Sequence, residues 1–184
     1  YKDYISANFQ ETLNYLIKEF KLKKYGVSLY SPNEYFKILK VRIPNIIQVP
    51  VNIFDKRFLE KKIISSIKKN KIEIHARSIF LQGLLYAEKK KIYKYFKNIK
   101  KVFEKAINLA ADENLSLAQL SLLWVYKKKD INKVVLGIDS LSQLKENIGL
   151  QQKRTNNKTT LEIDKINLHK NTIIQPNLWK IKQF

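Results

Sequence analysis

The sequence predicts an α/β fold, a parallel β-sheet whose strands are connected by helices. Short apolar stretches alternate along the chain with longer segments in which apolar residues recur at helical spacing. Several junctions carry residues that start helices, as where Ser31 precedes Pro32. At residues 137–148 a glycine follows an apolar stretch and a helix begins, which is the layout of a turn that binds a nucleotide phosphate. Strands that are separated by helices run parallel.

The predicted elements follow one another in a regular order. An amphipathic helix comes first, over residues 11–20. Four units of strand and helix follow, with strands predicted over residues 24–27, 45–49, 72–76 and 134–136. Their helices are predicted from Ser31, over residues 55–69, over residues 99–114 and 116–126, and after Gly137. The third unit has two helices, and Ser116 is expected to cap the second.

The length of the chain bears on its domain organisation. A closed barrel of such units needs eight strands and roughly 250 residues, whereas this chain has 184 residues, begins at Tyr1 and contains no methionine. We interpret residues 1–150 as the C-terminal half of a barrel from a longer polypeptide; the alternative is a small open sheet that is complete in itself. Residues 151–184 are predicted as a closing segment, with a polar loop over 154–160, a helix over 161–168 and Trp179 packed near the end.

The strongly basic composition raises the hypothesis of nucleic-acid binding. The chain has 36 basic and 16 acidic residues and a formal net charge of +20, which attracts polyanions. Lysine runs such as residues 89–91 lie beside tyrosines, as in proteins that bind single strands. However, the lysines are scattered over every helix, and the residue type suited to bidentate contacts with guanine and phosphate is limited to Arg42, Arg57, Arg77 and Arg154. Nucleic acid is therefore disfavoured as the main partner.

Several other classes of site are not supported by the sequence. His75, on a predicted strand, is expected to be structural, and His169, in the polar tail, is expected to be solvated. There is no cysteine, no histidine and carboxylate set at metal-ligand spacing, and no glycine-rich motif of the doubly wound nucleotide folds. The apolar runs fall well short of the roughly 20 residues of a membrane span. We expect no metal site, no membrane partner and a cytoplasmic location.

Five segments together resemble the second half of an aldo/keto reductase barrel. In chain order they are GVS at residues 26–28, IQVPVNIF at 47–54, HARSIFLQGLL at 75–85, LAQLSLLWV at 117–125 and the turn at 137–148. Their order and spacing are similar to strands five to eight of that family. The resemblance implies a (β/α)8 TIM-barrel type of fold, here only its C-terminal half of about four β/α units, followed by a C-terminal tail.

The resemblance also implies a set of cofactor-binding residues. Ser28 and Gln48 match positions that hydrogen-bond the nicotinamide carboxamide, a group that needs both a donor and an acceptor. Arg77 stands where many members place an aromatic ring against the nicotinamide; the alternative is an arginine paired with a carboxylate at the barrel rim. The other matched positions are Gly83 for the pyrophosphate loop, Gly137 and Ser140 for the adenosine phosphate, Gln143 for a 2′-phosphate, and Glu146 and Asn147 for the adenine.

The activity that the resemblance implies is hydride transfer from NADP or NAD to an aldehyde, a ketone or a sugar-derived carbonyl. In that family the catalytic tyrosine, lysine, aspartate and histidine lie in the first half of the barrel, so none of them maps onto this chain. We therefore expect the chain to be inactive alone, with the carbonyl substrate and the missing N-terminal half as its partners. Gln143 carries no charge, so the choice between NADP and NAD stays open. The alternatives are a non-catalytic cofactor-binding or regulatory subunit and an inactive gene product.

Overall fold

Four parallel strands form the single sheet of the molecule within residues 1–168 and 172–179, the part of the chain that this computed structural model describes. Their order in the sheet is that of the sequence: β1 Gly26–Ser28, β2 Ile46–Pro50, β3 Glu73–Arg77 and β4 Lys133–Val134. All three neighbouring pairs are parallel. The predicted α/β class and the four strands are confirmed, with boundaries shifted by one or two residues.

Helices connect the strands and cover one face of the sheet. Within the described residues they are α1 Ala7–Glu19, α2 Pro32–Leu39, α3 Lys61–Lys69, α4 Lys89–Tyr95, α5 Lys100–Ala111, α6 Leu117–Tyr126, α7 Leu141–Gly149 and α8 Asn157–Asp164. The predicted cap of α6 is confirmed, because Ser116 and Gln119 form a reciprocal capping box there. Ser31 stands at the N-cap of α2 and Pro32 at its first position, although the serine hydroxyl makes no capping bond.

Two predictions about helices were wrong. No helix is predicted over residues 89–95, but α4 forms there, with Ile92 fully buried and the Tyr93 hydroxyl donating to Glu104 at 2.8 Å. The loop predicted over residues 154–160 and the helix predicted over 161–168 are replaced by α8. This helix starts earlier because Glu113 accepts hydrogen bonds from its first turn, and it ends at Asp164.

The strand side chains alternate between a buried face and a polar face. Ile47, Val49, Ile74 and Ala76 are at most 1% exposed and pack under the helices. On the opposite face the register aligns one residue of each strand in a row: Ser28, Gln48, His75 and Lys133. His75 Nε2 is buried and lies 3.5 Å from the Glu73 carboxylate, without a hydrogen-bond partner among the described residues. This polar face leads to the candidate site.

Lys56 fixes the end of α8 to the body of the fold. Its ammonium group donates to the carbonyls of Ile163 and Ile166, the latter at 2.6 Å, and lies 5.5 Å from the centroid of the Trp124 ring. Burial lowers the pKa of Lys56 from 10.5 to about 8, although the charge of Asp164 acts in the opposite direction. Burial therefore destabilises the charged ammonium form of Lys56, and the hydrogen bonds to the two carbonyls offset part of this loss.

The free energy of unfolding is expected to rise between pH 8 and 10.5 because of Lys56. In that range the native state has released the Lys56 proton while the unfolded chain still binds it, so each step up in pH favours the native state. Urea denaturation at about pH 7.5 and about pH 9.5 should show a gain of roughly 2 kcal/mol in the wild type that is absent from Lys56→Met. Equal gains in the two proteins would contradict this role.

Candidate functional site

Ser28 and Gln48 form a hydrogen-bonded pair at the carboxyl ends of β1 and β2. They are register partners, and the Ser28 hydroxyl donates to Gln48 Oε1 at 3.1 Å. The Leu29 amide donates to the Gln48 carbonyl at 2.9 Å, which fixes the two strand ends together. The Gln48 Nε2 donor and the serine oxygen lone pairs remain for a ligand. The structure thus brings together the donor and acceptor that were predicted for a carboxamide.

Arg77, the last residue of β3, presents its guanidinium at the same edge of the sheet. Its nitrogens donate to the Leu29 carbonyl at 3.2 Å and to the Ser78 hydroxyl at 3.1 Å. The guanidinium carbon lies 4.5 Å from the centroid of the Tyr30 ring, a stacked geometry. No ion pair of Arg77 occurs among the described residues. The alternative of a rim ion pair is therefore wrong for this arginine.

The loop around Gly83 has an unusual backbone. Ser78, Leu81, Gln82 and Gly83 all have positive φ, between 47° and 82°, the left-handed region that side chains other than glycine rarely adopt. A Cβ on Gly83 would meet no atom within 4 Å, so its positive φ is what favours glycine there. Hydrogen bonds hold the loop in place: Asn52 Nδ2 donates to the Ser78 carbonyl at 3.1 Å, and Ser121 donates to the Ile79 carbonyl at 2.9 Å.

The turn into α7 is built by its own side chains. The Ser140 hydroxyl accepts a hydrogen bond from the Gln143 amide at 3.2 Å and so caps the helix. Gln143 Oε1 accepts from the Asp139 amide at 2.9 Å. Gly137 is exposed, and no atom lies within 4 Å of the position of an added Cβ. The helix therefore begins beside open space, with its first amide groups directed there.

Tyr86 stands at the end of the Gly83 loop and is not among the predicted site residues. The centroid of its ring lies 5.2 Å from that of the Phe80 ring. Burial raises the pKa of Tyr86; the Gln143 side chain opposes this shift and the charge of Glu146 adds to it. The end of the Gly83 loop and α7 are thus close enough for their side chains to interact. The sequence signal was the position of Tyr86 three residues after Gly83, at the end of the same loop.

Glu146 and Asn147 lie further along α7. Glu146 Oε1 accepts from Gln119 Nε2 at 2.7 Å, so α6 positions this carboxylate. Asn147 is 3% exposed, and its Nδ2 has no hydrogen-bond partner within the part of the chain that the structure describes. A buried amide left unpaired is costly. Asn147 borders a cavity of about 500 Å³ between β4 and α7, which makes this nitrogen a donor available to a bound group.

A second cavity, of about 530 Å³, opens at the carboxyl ends of β1, β2 and β3. The loops after these strands and residues 174–179 line it, among them Tyr30, Arg57, Arg77, Gln82, Asn177 and Trp179. Trp179 Nε1 donates to the Thr172 carbonyl at 3.0 Å, and its ring packs 5.5 Å from Phe96. The tryptophan therefore both lines the cavity and packs on the body of the fold. His169 lies outside the described residues.

Among the described residues there is no cluster of three or more histidine, cysteine, aspartate or glutamate side chains that could hold a metal ion. In the same part of the chain, none of the helices has the length and apolar character that crossing a bilayer requires. The site is therefore defined by amide, hydroxyl and guanidinium groups at the edge of the sheet and at the start of α7.

Comparison with known proteins identifies the family. The profile of the Aldo/keto reductase family matches residues 4–168. The chain belongs to the aldo/keto reductase family. A search of curated proteins finds no match to the chain. The resemblance noted in the sequence is confirmed, and members of this family generally use NAD(P)H.

Solved structures of aldo/keto reductases share the fold. The chain is similar to aldo-keto reductase AKR11C1 from Bacillus halodurans in its holo form, with 20% identity and a TM-score of 0.68 over 86% of this chain and 55% of that one. It is also similar to the glycerol dehydrogenase AKR11B4 from Gluconobacter oxydans, with 19% identity, a TM-score of 0.60 and coverage of 84% and 51%. A putative 2,5-diketo-D-gluconic acid reductase B shows 13% identity, a TM-score of 0.62 and coverage of 88% and 51%.

The chain spans about half the length of these solved structures. Its parallel four-stranded sheet and covering helices correspond to about half of an aldo/keto reductase barrel. The predicted TIM-barrel type of fold is thus confirmed. The identities are low, and the likeness therefore concerns the fold.

Proposed function

We propose that this chain is the cofactor-binding half of an NAD(P)H-dependent aldo/keto reductase that acts on an aldehyde, a ketone or a sugar-derived carbonyl. The observation that carries the proposal is the Ser28–Gln48 pair, in which a hydroxyl and a primary amide lie 3.1 Å apart at the carboxyl ends of neighbouring strands. Ligands of barrel folds bind at this end of the sheet. The pair offers a donor and an acceptor side by side, as the nicotinamide carboxamide requires.

The other predicted residues are assigned to the rest of the dinucleotide. Tyr86 at the end of the Gly83 loop interacts electrostatically with Gln143 and Glu146 of α7, and this nearness supports one continuous phosphate-binding surface. Asn147 supplies a buried Nδ2 that needs an acceptor, which suits a ring nitrogen of adenine. Gly137 and Ser140 border the same turn, with Glu146 held beside it by Gln119. Arg77 stands next to the position of the nicotinamide.

The residues of this chain bind and orient, and the bound dinucleotide supplies the hydride. Ser28 and Gln48 hold the carboxamide, which fixes the face of the ring that is turned toward the substrate. The proton for the developing alkoxide comes from the N-terminal half of the barrel, which we propose as the partner that carries the catalytic tyrosine, lysine, aspartate and histidine. On this proposal residues 1–150 complete the barrel, residues 151–184 close it, the chain alone is inactive, and the enzyme is cytoplasmic.

The choice between NADP and NAD depends on Gln143. Its side chain already accepts from the Asp139 amide, and it carries no positive charge for a 2′-phosphate. A phosphate is held most strongly by arginine or lysine. We therefore propose that the preference for NADP over NAD is relaxed in this protein.

Gln48→Ala is expected to weaken dinucleotide binding about tenfold, because it removes the Nε2 donor that faces the carboxamide and the Oε1 atom that holds the Ser28 hydroxyl. The measurement is a titration of the chain with NADPH and with NADH, followed by quenching of its two tryptophans. The matched control is Gln152→Ala, an exposed glutamine beyond α7, which should leave the Kd unchanged. Absence of saturable binding for both dinucleotides, or equal Kd values for the two variants, would overturn the assignment of this site.

A further inference from the structure

The cavity at the carboxyl ends of β1, β2 and β3 contains two of the four arginines of the chain. This concentration is notable because lysine supplies nearly all the positive charge elsewhere. A guanidinium in a cavity recognises planar anions with two parallel hydrogen bonds, which an ammonium group does not provide. Such an arginine binds a ligand only where its own carboxylates do not already neutralise it.

Arg57 is committed to carboxylates of the protein. Its Nε and one terminal nitrogen bond the two oxygens of Asp55 at 2.8 and 2.7 Å. Burial on its own lowers the pKa of the Arg57 guanidinium, but the bonds and charge of Asp55, together with Glu34 and Glu60, raise it above its usual value. This arginine is neutralised from several sides and supports the wall of the cavity.

Arg77 is a cation without a carboxylate partner among the described residues. Its two hydrogen bonds go to the neutral oxygens of Leu29 and Ser78, and a guanidinium has more N–H donors than these bonds use. One face of the group is covered by Tyr30 at 4.5 Å. The group is therefore held in a fixed orientation, partly desolvated, and no carboxylate of the described residues lies within ion-pair distance of it. Both features strengthen the attraction of an anion.

The remaining walls suit a small organic molecule. The Ser78 hydroxyl and the amides of Gln82 and Asn177 border the space, and Tyr30 and Trp179 provide two aromatic surfaces. Glu34 also lines the cavity; its carboxylate accepts from the Tyr30 amide at 2.6 Å and its charge acts on Arg57. The volume of about 530 Å³ is within the usual range of small-molecule sites. Aromatic surfaces beside polar groups suit a ligand that has both apolar and polar parts.

We propose that this cavity binds a small carboxylate-bearing organic molecule and that Arg77 forms a bidentate ion pair with its carboxylate. In the reductase this molecule is the carbonyl substrate, which makes the substrate class a 2-oxo acid or a sugar acid. That last step rests on the proposed function, whereas the anion site itself depends only on the cavity and on Arg77. Arg77 is then a specificity-determining residue that distinguishes an acidic carbonyl compound from a neutral one.

The test is isothermal titration calorimetry of the whole chain with D-glucuronate and with D-glucose, which lacks the carboxylate. Salt of about 0.15 M screens the general attraction of a basic protein for anions. Glucuronate should bind at least about tenfold more tightly than glucose, and Arg77→Gln should remove this difference. Arg154→Gln, the same change of charge at an exposed position, should retain it. Arg77→Lys should retain only part of it, because an ammonium group makes no bidentate pair.

Three other outcomes separate the hypotheses. If glucuronate and glucose bind equally, or if Arg77→Gln and Arg154→Gln lose the same affinity, the anion site is wrong. Inorganic phosphate that binds equally to the wild type and to Arg77→Gln measures the attraction of net charge alone. Glucuronate that also binds equally to these two proteins would overturn the site. If glucuronate binds through Arg77 but neither dinucleotide binds, the anion site stands and the proposed reductase function fails.

Discussion

Asp55→Ala is expected to lower the free energy of unfolding by about 3–5 kcal/mol, the largest effect of any single change considered for this protein. The Asp55 side chain is fully buried, and that of Arg57 is 13% exposed. Removal of the carboxylate leaves the guanidinium without its bidentate partner in a place where water reaches it poorly. Urea denaturation followed by circular dichroism measures the loss.

Two comparisons isolate the cause of this loss. Asp130→Ala removes the same group from an exposed ion pair with Lys68, at 2.6 Å, and should cost no more than about 1 kcal/mol. The double variant Asp55→Ala/Arg57→Leu removes both charges and should recover much of the stability, because a buried pair replaced by apolar groups is often neutral. Equal losses for Asp55→Ala and Asp130→Ala would show that burial of the pair contributes little.

The pairing of Ser28 with Gln48 could be predicted from the sequence because it depends on local patterns and on one rule of topology. Ser28 follows the first short apolar stretch, and Gln48 lies near the end of the second. Strands connected in this way are usually neighbours and parallel, so their carboxyl-terminal parts meet at one edge of the sheet. The observed register places these two residues directly opposite each other.

Tyr86 and α8 could not be predicted because contacts between distant parts of the chain determine both. Residues 154–160 are rich in asparagine and threonine, which locally favour a loop. Glu113 and Lys127, which follow the ends of α5 and α6, bond this segment and stabilise a helical first turn. Tyr86 likewise acquires its role from Gln143, a residue far along the chain.

Arg77 shows the same limit within the site itself. The pattern of the sequence predicts that Arg77 follows a strand. It leaves two alternatives for the guanidinium, stacking on a ring or an ion pair with a carboxylate. The structure shows Tyr30 on one face and the Leu29 carbonyl at one nitrogen. The positive φ values of Ser78, Leu81 and Gln82 could not be predicted from the sequence either. Glycine is the residue type that indicates a positive φ, and only Gly83 in this loop is a glycine.

Gly26→Ala is expected to lower the free energy of unfolding by about 1–3 kcal/mol through a steric conflict inside the sheet. A Cβ at this position would lie 2.7 Å from the Ile46 carbonyl oxygen and 2.9 Å from the Ile46 Cβ. The first of these atoms belongs to the backbone of β2, whose Ile46 amide also bonds the Tyr25 carbonyl at 3.2 Å. Relief of the contact therefore requires β1 to move away from β2.

Gly149→Ala is the matched control for this substitution. Gly149 ends α7 with a negative φ, and an added Cβ there meets no atom within 4 Å, so alanine should stabilise the protein by up to about 1 kcal/mol. Urea denaturation of the two variants should thus give changes of opposite sign. Because Ser28 lies two residues beyond Gly26 on β1, Gly26→Ala should also weaken dinucleotide binding. A fully stable Gly26→Ala protein with unchanged binding would mean that the Leu29 to Gln48 backbone bond alone positions Ser28.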